Sequence, residues 1–204
     1  MELPLYTSID EVRAAALECR ACGRAATRRQ VVFGAGNPNA RLMIVGEAPS
    51  ATDDSTGLPY TGPAGDLLDE LLEEAGTRRE DVWITNLLRC FEGRERGGRI
   101  ENQPARTTEI RACSRWLNLE IQHVKPRVIV AMGSPAAKAL IAPDFKLTEQ
   151  RGAVHTRPDS IQVVATTQPA YVMRLVQLVD RAAAERERAA VVADLTLAVR
   201  LAGT

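Results

Sequence analysis

Four short apolar runs punctuate the chain up to residue 165. They are Arg41–Gly46, Val82–Thr85, Arg127–Met132 and Ile161–Ala165. Each run is nearly continuous in its apolar character instead of alternating with polar residues, which is the pattern of strands buried on both faces of a parallel sheet. The pattern therefore predicts four parallel strands.

Apolar positions at helical spacing separate and follow these runs. One predicted helix ends at Gly76, a second stops before Pro126, a short third covers Ala136–Ile141, and one or two more follow Pro169. The apolar positions of the first two are Leu67, Leu68, Leu71, Leu72 and Ala75, and then Ile110, Cys113, Leu117, Ile121 and Val124. Alternating strands and helices predict an α/β fold, a three-layer α/β/α sandwich with a central four-stranded parallel sheet. With no repeat or linker in sight, we expect a single domain over residues 1–204.

Composition narrows the class of protein without naming a function. Of the 204 residues, 45% are hydrophobic and 25% charged, as in ordinary globular proteins, and the net charge is zero. Affinity for a polyanion would therefore have to come from local patches.

The longest apolar runs, such as Val128–Met132, are too short to cross a bilayer, and the N-terminal residues do not resemble a secretory signal. We expect a cytoplasmic protein without a membrane partner, in which structural disulfides are disfavoured.

Polar residues follow the predicted strands where each one ends. The four junctions are Gly46-Glu47-Ala48-Pro49, Asn86, Gly133-Ser134 and Thr167-Gln168-Pro169. Turn formation or capping would explain any one of them. However, ligands of such sheets bind beyond the carboxyl ends of the strands, so all four should meet at one rim. The sequence predicts that Glu47, Asn86 and Gln168 line one cavity.

The four cysteines form a second constellation. Cys19 and Cys22 are a Cys-x2-Cys pair, Cys90 follows the second strand, and Cys113 lies in the next helix. Such a set suits either Zn²⁺ or an iron–sulfur cluster, and spacing alone does not separate the two. The alternative is four unconnected buried thiols. Because the close pair and the absence of a leftover cysteine favour a metal, we expect a structural centre that ties the N-terminal segment to the middle of the chain.

Four motifs together resemble the iron–sulfur branch (family 4) of the uracil-DNA glycosylase superfamily. They are the Cys-x2-Cys pair, Gly46-Glu47-Ala48-Pro49 followed by Gly57-Leu58-Pro59-Tyr60-Thr61-Gly62-Pro63-Ala64-Gly65, Thr85-Asn86-Leu87-Leu88-Arg89-Cys90, and Gln150-Arg151-Gly152. The resemblance covers about residues 10–180. It implies the fold of that superfamily and a [4Fe–4S] cluster, held by an N-terminal cluster-binding segment and the later cysteines. The implied ligands are Cys19, Cys22, Cys90 and Cys113.

The stretch between Cys90 and Cys113 resembles the UdgX subclass, whose members bond covalently to the abasic sugar through a loop histidine. In the Arg-Ile-x-x-x-Pro pattern of this chain, Glu101 takes the place of that histidine. The crosslinking property is therefore not expected here. Two further departures are Gln168, where the family has histidine before proline, and Ser50, where glycine is usual.

The resemblance and the residue chemistry together suggest roles at the rim. Glu47 would orient water and stabilise the sugar cation that forms as the glycosidic bond breaks, unless it is merely a surface carboxylate. The predicted base-binding residues are Gly46, Ala48, Tyr60 and Asn86. Asn86 would read the base edge, and Tyr60 would stack on the flipped base or anchor its loop. Gln168 can donate to the base but is neutral, and loss of one such donor costs about 2.7–4 kcal/mol. It would weaken, redirect or abolish cleavage.

Arginines are concentrated beside this rim. Residues 89–115 hold seven arginines against four glutamates, which suits contacts with phosphates, although a solvated loop would show the same composition. Within it, Glu101 would activate water, form a transient sugar ester, or pair with an arginine. The predicted DNA contacts are Arg94, Arg96, Arg99, Arg106, Ser134 and Arg174.

The leading functional prediction is a monofunctional DNA glycosylase that removes uracil or a related damaged or modified base and leaves an abasic site. Glu47, Gln168 and Glu101 are the candidate catalytic residues. We expect a monomer that acts on single-stranded or uracil-containing DNA. The alternatives are a catalytically weakened protein that binds uracil or abasic sites, which Gln168 favours, and an unrelated zinc-containing α/β hydrolase.

Overall fold

A mixed sheet of six strands in the order β1-β3-β2-β6-β8-β7 forms the centre of the computed structural model, which describes residues 5–177 and 180–203. The four inner strands are parallel to one another. They are β3 (Trp83–Asn86), β2 (Leu42–Gly46), β6 (Val128–Met132) and β8 (Gln162–Thr166). These are the four strands predicted from the apolar runs, with bounds shifted by one residue, so that prediction is confirmed.

Two short edge strands were not predicted. β1 (Ala35–Gly36) and β7 (Val154–Thr156) pair antiparallel with β3 and β8. Each edge strand has only three residues or fewer and carries no apolar run, so no hydrophobic pattern marked it. The expected four-stranded sheet is therefore extended to six by its two antiparallel edges.

Helices cover both faces of the sheet. They are α1 (Ile9–Leu17), α2 (Ala51–Thr56), α3 (Pro63–Glu74), α4 (Thr107–Val124), α5 (Ser134–Leu140), α6 (Leu147–Gln150), α7 (Pro169–Gln177) and α8 (Arg181–Ala202). Short 3₁₀ turns occupy Gly23–Ala26 and Arg79–Asp81. Across the ranges 5–177 and 180–203, no helix is both long enough and apolar enough to span a membrane.

Alternate strand residues supply two separate cores. On β2, Met43 and Val45 pack with α1, α4 and α5, whereas Leu42 and Ile44 pack with α3, α7 and α8. This division follows from the opposite directions of successive side chains along a strand. The three-layer sandwich predicted from the sequence is confirmed.

The arginine-rich stretch is a β-hairpin, not the loop that its composition suggested. β4 (Gly93–Arg96) pairs antiparallel with β5 (Arg99–Asn102) across Gly97-Gly98. Both turn glycines have positive φ, 58° and 76°, which a tight two-residue hairpin turn requires. Because Arg94 pairs with Glu101 in register and Arg96 lies two residues after Arg94, the side chains of these three residues share one face of the hairpin.

A buried ion pair joins the loop after β3 to α4. The Arg89 Nη2 lies 3.1 Å from Glu120 Oε2, with both side chains almost fully buried. Glu120 also accepts hydrogen bonds from the Gly34 amide at 3.1 Å and the Trp83 indole at 3.3 Å. Arg89 in turn donates to the Asn86 carbonyl. The pair thus holds the polar end of β3 against the helix that carries Cys113.

Removal of Glu120 should be costly because it leaves the Arg89 charge buried without its partner. We expect Glu120→Ala to lower the free energy of unfolding by about 3–5 kcal/mol. Glu149→Ala, at an exposed pair with Lys146, should change it by less than about 1 kcal/mol. Urea titration followed by circular dichroism would measure both. Equal effects of the two substitutions would contradict the assigned role of the buried pair.

Candidate active site

A cavity of about 390 Å³ opens at the carboxyl ends of the parallel strands. Glu47 and Ala48 reach it from the end of β2, and Gln168 and Pro169 reach it from the end of β8. The end of β5 and the segment after it close another side, where Asn102, Gln103 and Pro104 line the cavity. The structure therefore brings Glu47 and Gln168 into one hollow although 120 residues separate them in the chain.

Asn86 lies behind this cavity instead of forming its wall. It is buried at the end of β3, next to the backbone of Gly46. A Cβ at Gly46 would come within 2.4 Å of Asn86 Oδ1 and 2.3 Å of the Tyr60 hydroxyl. Only glycine leaves room for both polar atoms here, so Gly46 brings Tyr60 and Asn86 together at the floor of the site.

Tyr60 occupies a strained position on the cavity wall. Its φ is 55°, in the left-handed region that non-glycine residues seldom adopt, and its carbonyl accepts a 2.8 Å hydrogen bond from Arg79 Nη2. Burial raises the pKa of the Tyr60 hydroxyl well above its usual value, and the Asp53 and Glu47 carboxylates raise it further. The hydroxyl is therefore protonated at neutral pH and able to donate.

The Glu47 carboxylate is tethered to the far side of the cavity. Its Oε1 accepts a hydrogen bond from the Ala105 amide at 2.8 Å. The Glu47 carbonyl accepts from the Leu88 amide at 3.0 Å, which holds the backbone against the loop after β3. The first contact orients the carboxylate, and the second holds the backbone that carries it.

Ser50, the departure from the usual glycine, caps α2. Its hydroxyl accepts from the Asp53 amide at 3.2 Å, and Asp53 accepts from the Ser50 amide at 2.9 Å, which forms a capping box. Asp53 also accepts from the Thr61 amide at 2.8 Å. The substitution therefore helps to hold the loop that carries Tyr60.

Gln168 packs beside the end of β6. Its Nε2 donates to the Met132 carbonyl at 3.3 Å, and its side chain lies against Gly133. His155 packs edge-on against Phe145, with ring centroids 5.3 Å apart, and is not among the residues that line the cavity. His155 therefore does not replace the missing histidine.

Arg151 supports the loop that carries Gln168. The guanidinium donates to Thr166 Oγ1 at 3.1 Å, to Thr167 Oγ1 at 3.0 Å and to Asp194 Oδ2 at 2.8 Å, and it pairs with Glu187. The sequence marked Arg151 only as part of a motif and gave it no role. An acidic residue on the buried face of α8, Asp194, was the signal that a basic partner was needed.

The hairpin residues divide between the cavity and solvent. Glu101 is exposed and lies 4.0 Å from Arg96, away from the cavity that its neighbours Asn102 and Gln103 line. The structure thus does not place Glu101 with Glu47 and Gln168. Arg94 and Arg96 are exposed, and the side chain of Arg99 lies outside the described part of the structure.

The remaining predicted DNA contacts have different environments. Arg106 bonds to Glu92 at 2.8 Å and to Glu109 at 2.9 Å, so its charge is already paired. Arg174 lines the cavity and lies over the Tyr171 ring at 5.7 Å. Ser134 begins α5 and is half-buried. Of these three, Arg174 is best placed to meet a ligand at the cavity.

The four cysteines converge from separate elements and are all free thiols. Burial raises the pKa of Cys90 to about 11 against the effect of Arg28, and Cys22 and Cys113 raise it further. Burial also raises the pKa of Cys113, with smaller contributions from Cys19 and Cys22. Each thiol is thus within electrostatic reach of others in the set.

The cysteine set has a basic neighbour. Across residues 5–177 and 180–203, no three Cys, His, Asp or Glu side chains form a site for one metal ion. Arg28 adds a positive charge, since it donates to Cys90 Sγ at 3.2 Å and to the Cys19 carbonyl at 2.6 Å. In iron–sulfur proteins, hydrogen bonds to the sulfurs help to set the reduction potential.

Comparison with known proteins decides the family. A match to the Uracil DNA glycosylase superfamily covers residues 33–196, which include every cavity residue described above. The chain belongs to the uracil-DNA glycosylase superfamily. Cys19 and Cys22 lie before the matched range, so the N-terminal cysteine pair is not part of that match.

Relatives within the superfamily include enzymes of two types. The chain is 37% identical over 158 residues to the type-4 uracil-DNA glycosylase of Thermotoga maritima, covering 77% of this chain and 79% of the relative. The type-4 enzyme of Pyrobaculum aerophilum is 40% identical over 136 residues, 67% and 66% of the two chains. A type-5 enzyme of Thermus thermophilus is 36% identical over 126 residues, 54% of each.

The glycine at the cavity floor allows a direct test of the site. We expect Gly46→Ala to displace Tyr60 or Asn86 by about 1 Å and to lower the rate of base release from uracil-containing DNA roughly 100-fold. Gly23→Ala is the matched control, because a Cβ there meets nothing within 4 Å. Single-turnover assays would measure both variants, and an unimpaired Gly46→Ala would refute the proposed packing at the floor.

Proposed function

We propose that the chain is a monofunctional DNA glycosylase, which hydrolyses the N-glycosidic bond of uracil or a related base in DNA and leaves an abasic site. The observation that carries the proposal is the shared cavity of Glu47 and Gln168 in a member of the uracil-DNA glycosylase superfamily. The names of its type-4 relatives support the same reaction.

Glu47 is the proposed catalytic carboxylate. Bond cleavage leaves a sugar with oxocarbenium character and an anionic base, so the site needs a negative group beneath the sugar. The tether from the Ala105 amide holds Glu47 in one direction before the substrate arrives. In this position the carboxylate orients the attacking water and stabilises the sugar cation.

Tyr60 and Asn86 are proposed to receive the base once it leaves the stack. The base must be extruded from the nucleic acid, and a pocket then reads its pairing edge. Asn86 would offer an acceptor and two donors from just behind the cavity, with the protonated Tyr60 hydroxyl beside it. Stacking on an aromatic ring contributes about 1–3 kcal/mol per base. Among the described cavity residues there is no lysine to form a Schiff base, so strand cleavage is not expected.

The cofactor that we propose is a [4Fe–4S] cluster held by Cys19, Cys22, Cys90 and Cys113. When bound, it would supply a structural tie between the N-terminal segment, the loop after β3 and α4. The chain's own contribution is four thiols with the Arg28 guanidinium among them. Free thiols also suit the cytosolic location that we propose for a monomeric protein.

DNA is the proposed partner, and the hairpin is its proposed contact. Arg94 and Arg96 extend from one exposed face of the hairpin beside the cavity, and Arg174 lies at the cavity itself. Such side chains suit phosphates on both sides of an extruded nucleotide. A single-stranded substrate fits best, because extrusion from it breaks no base pair. The residue at position 101 is glutamate and lies outside the cavity, so no stable crosslink is expected.

One observation favours a second candidate function. The Gln168 amide donates to the Met132 carbonyl and has no charge with which to stabilise the departing base. A protein that recognises uracil or abasic sites without cleaving would show the same cavity. The two functions differ in their product, since only the enzyme leaves an alkali-labile site.

Incubation with a uracil-containing single-stranded oligonucleotide, followed by alkali, separates these functions. We expect cleavage at uracil, and we expect Gln168→His to raise the rate about 100-fold because it restores a chargeable donor. Glu47→Gln should abolish cleavage and retain binding. A gel shift without cleavage by the natural protein would favour the binding function. Equal rates for the natural protein and Gln168→His would remove the assigned deficit at Gln168.

Metal analysis tests the cluster separately from activity. Anaerobically purified protein should be brown and hold ~4 iron and ~4 sulfide per chain. Cys113→Ser should lose most of the visible absorbance and the iron, whereas Ser114→Ala, at the next residue, should keep both. Stoichiometric zinc without sulfide would contradict the proposed cofactor.

A further inference from the structure

Arg24 is an unusual residue in the N-terminal segment. It lies two positions after Cys22, in the 3₁₀ turn Gly23–Ala26, yet its side chain is only 1% exposed. A fully buried arginine requires several partners, because the cost of removing its charge from water is high. All of its side-chain partners lie far along the chain, around the base of the hairpin.

The partners of Arg24 are two carboxylates and two carbonyls. Its Nε donates to Glu109 Oε2 at 2.9 Å and lies 3.5 Å from Glu92. Its Nη2 donates to the carbonyls of Gln103 at 3.2 Å and Pro104 at 2.9 Å. The guanidinium therefore clamps the chain just after β5 to the first turn of α4.

This clamped segment leads directly to the catalytic carboxylate. Gln103 and Pro104 line the cavity, and the next residue, Ala105, donates its amide to Glu47 Oε1. We propose that Arg24 is a positioning residue for Glu47, acting through the backbone of residues 103–105. The N-terminal segment, which carries Cys19, Cys22 and Arg24, would thereby set the geometry of the cavity wall. This inference rests on the proposed function only for its effect on activity.

Charge neutralisation accounts for only some of the contacts of Arg24. Arg106 pairs with both Glu92 and Glu109 from the solvent side, at 2.8 Å in each case, so two arginines balance two carboxylates. What Arg24 adds is the pair of hydrogen bonds to backbone carbonyls. Both of these bonds come from Nη2, while Nε of the same group bonds to Glu109. Holding the carboxylate and the carbonyls at once from two nitrogens uses the guanidinium fork, which lysine lacks. Substitution by lysine therefore keeps the charge and removes the feature that positions the segment.

The first test measures the Ala105 amide directly, without reference to activity. In ¹⁵N-labelled protein we expect Arg24→Lys to raise the hydrogen-exchange rate of this amide at least about 10-fold, because local opening becomes easier. Arg157→Gln, which breaks an arginine–aspartate pair distant from the cavity, should leave it unchanged. An unchanged Ala105 exchange rate in Arg24→Lys overturns the proposal, whether or not the protein releases uracil.

The second test separates positioning from general stability. We expect Arg24→Lys to lower kcat roughly 100-fold, with KM changed by less than about 3-fold and iron content at the wild-type level. If Arg24→Lys does not fold, Glu109→Gln weakens the same clamp with Arg24 in place, and the same direction is expected in both readouts. A lower melting temperature with wild-type kcat would show a merely structural role and overturn the proposal.

Discussion

Parallel pairing of the four inner strands is the constraint on which the rest of the molecule depends. Because β2 pairs with β3 and β6, and β6 with β8, their carboxyl ends meet at one edge. This single fact brings Glu47 within reach of Gln168 and places Asn86 behind both. The loops that carry these residues are positioned by the strands that they follow. The chemistry of the site is a consequence of strand direction.

Three arginines from distant parts of the chain hold the loops and segments around the cavity. Arg151 holds the loop before Gln168, Arg79 holds the Tyr60 carbonyl, and Arg24 holds the segment opposite Glu47. Each reaches backbone or hydroxyl oxygens from an element distant in the chain. The guanidinium suits this task because it offers five donors in one plane. Loops that form the site are thereby bonded to distant parts of the chain.

The features of this structure that depend on local sequence patterns were predictable, whereas those that depend on contacts between distant residues were not. The inner strands were predictable because burial on both faces leaves a continuous apolar run, as in Val128–Met132. The edge strand β1 has only two residues and therefore no such run. The hairpin strands are rich in charged residues and lack an apolar pattern, although Gly97-Gly98 marks the turn between them. The positions of the site residues followed the same rule. Glu47 was recognisable from its place after a strand, whereas the outward direction of Glu101 and the partners of Arg24 depend on contacts that no local pattern encodes.

The short antiparallel strands at the two margins of the sheet bear on the behaviour of the protein at high concentration. An open sheet edge offers unpaired amides and carbonyls to any neighbouring chain, and long parallel strands at that position invite aggregation. Here the margins are only two and three residues long, in β1 and β7, and they run against the strands that they cover. The same two strands that escaped the hydrophobic pattern thus guard the sheet against fibrous self-association.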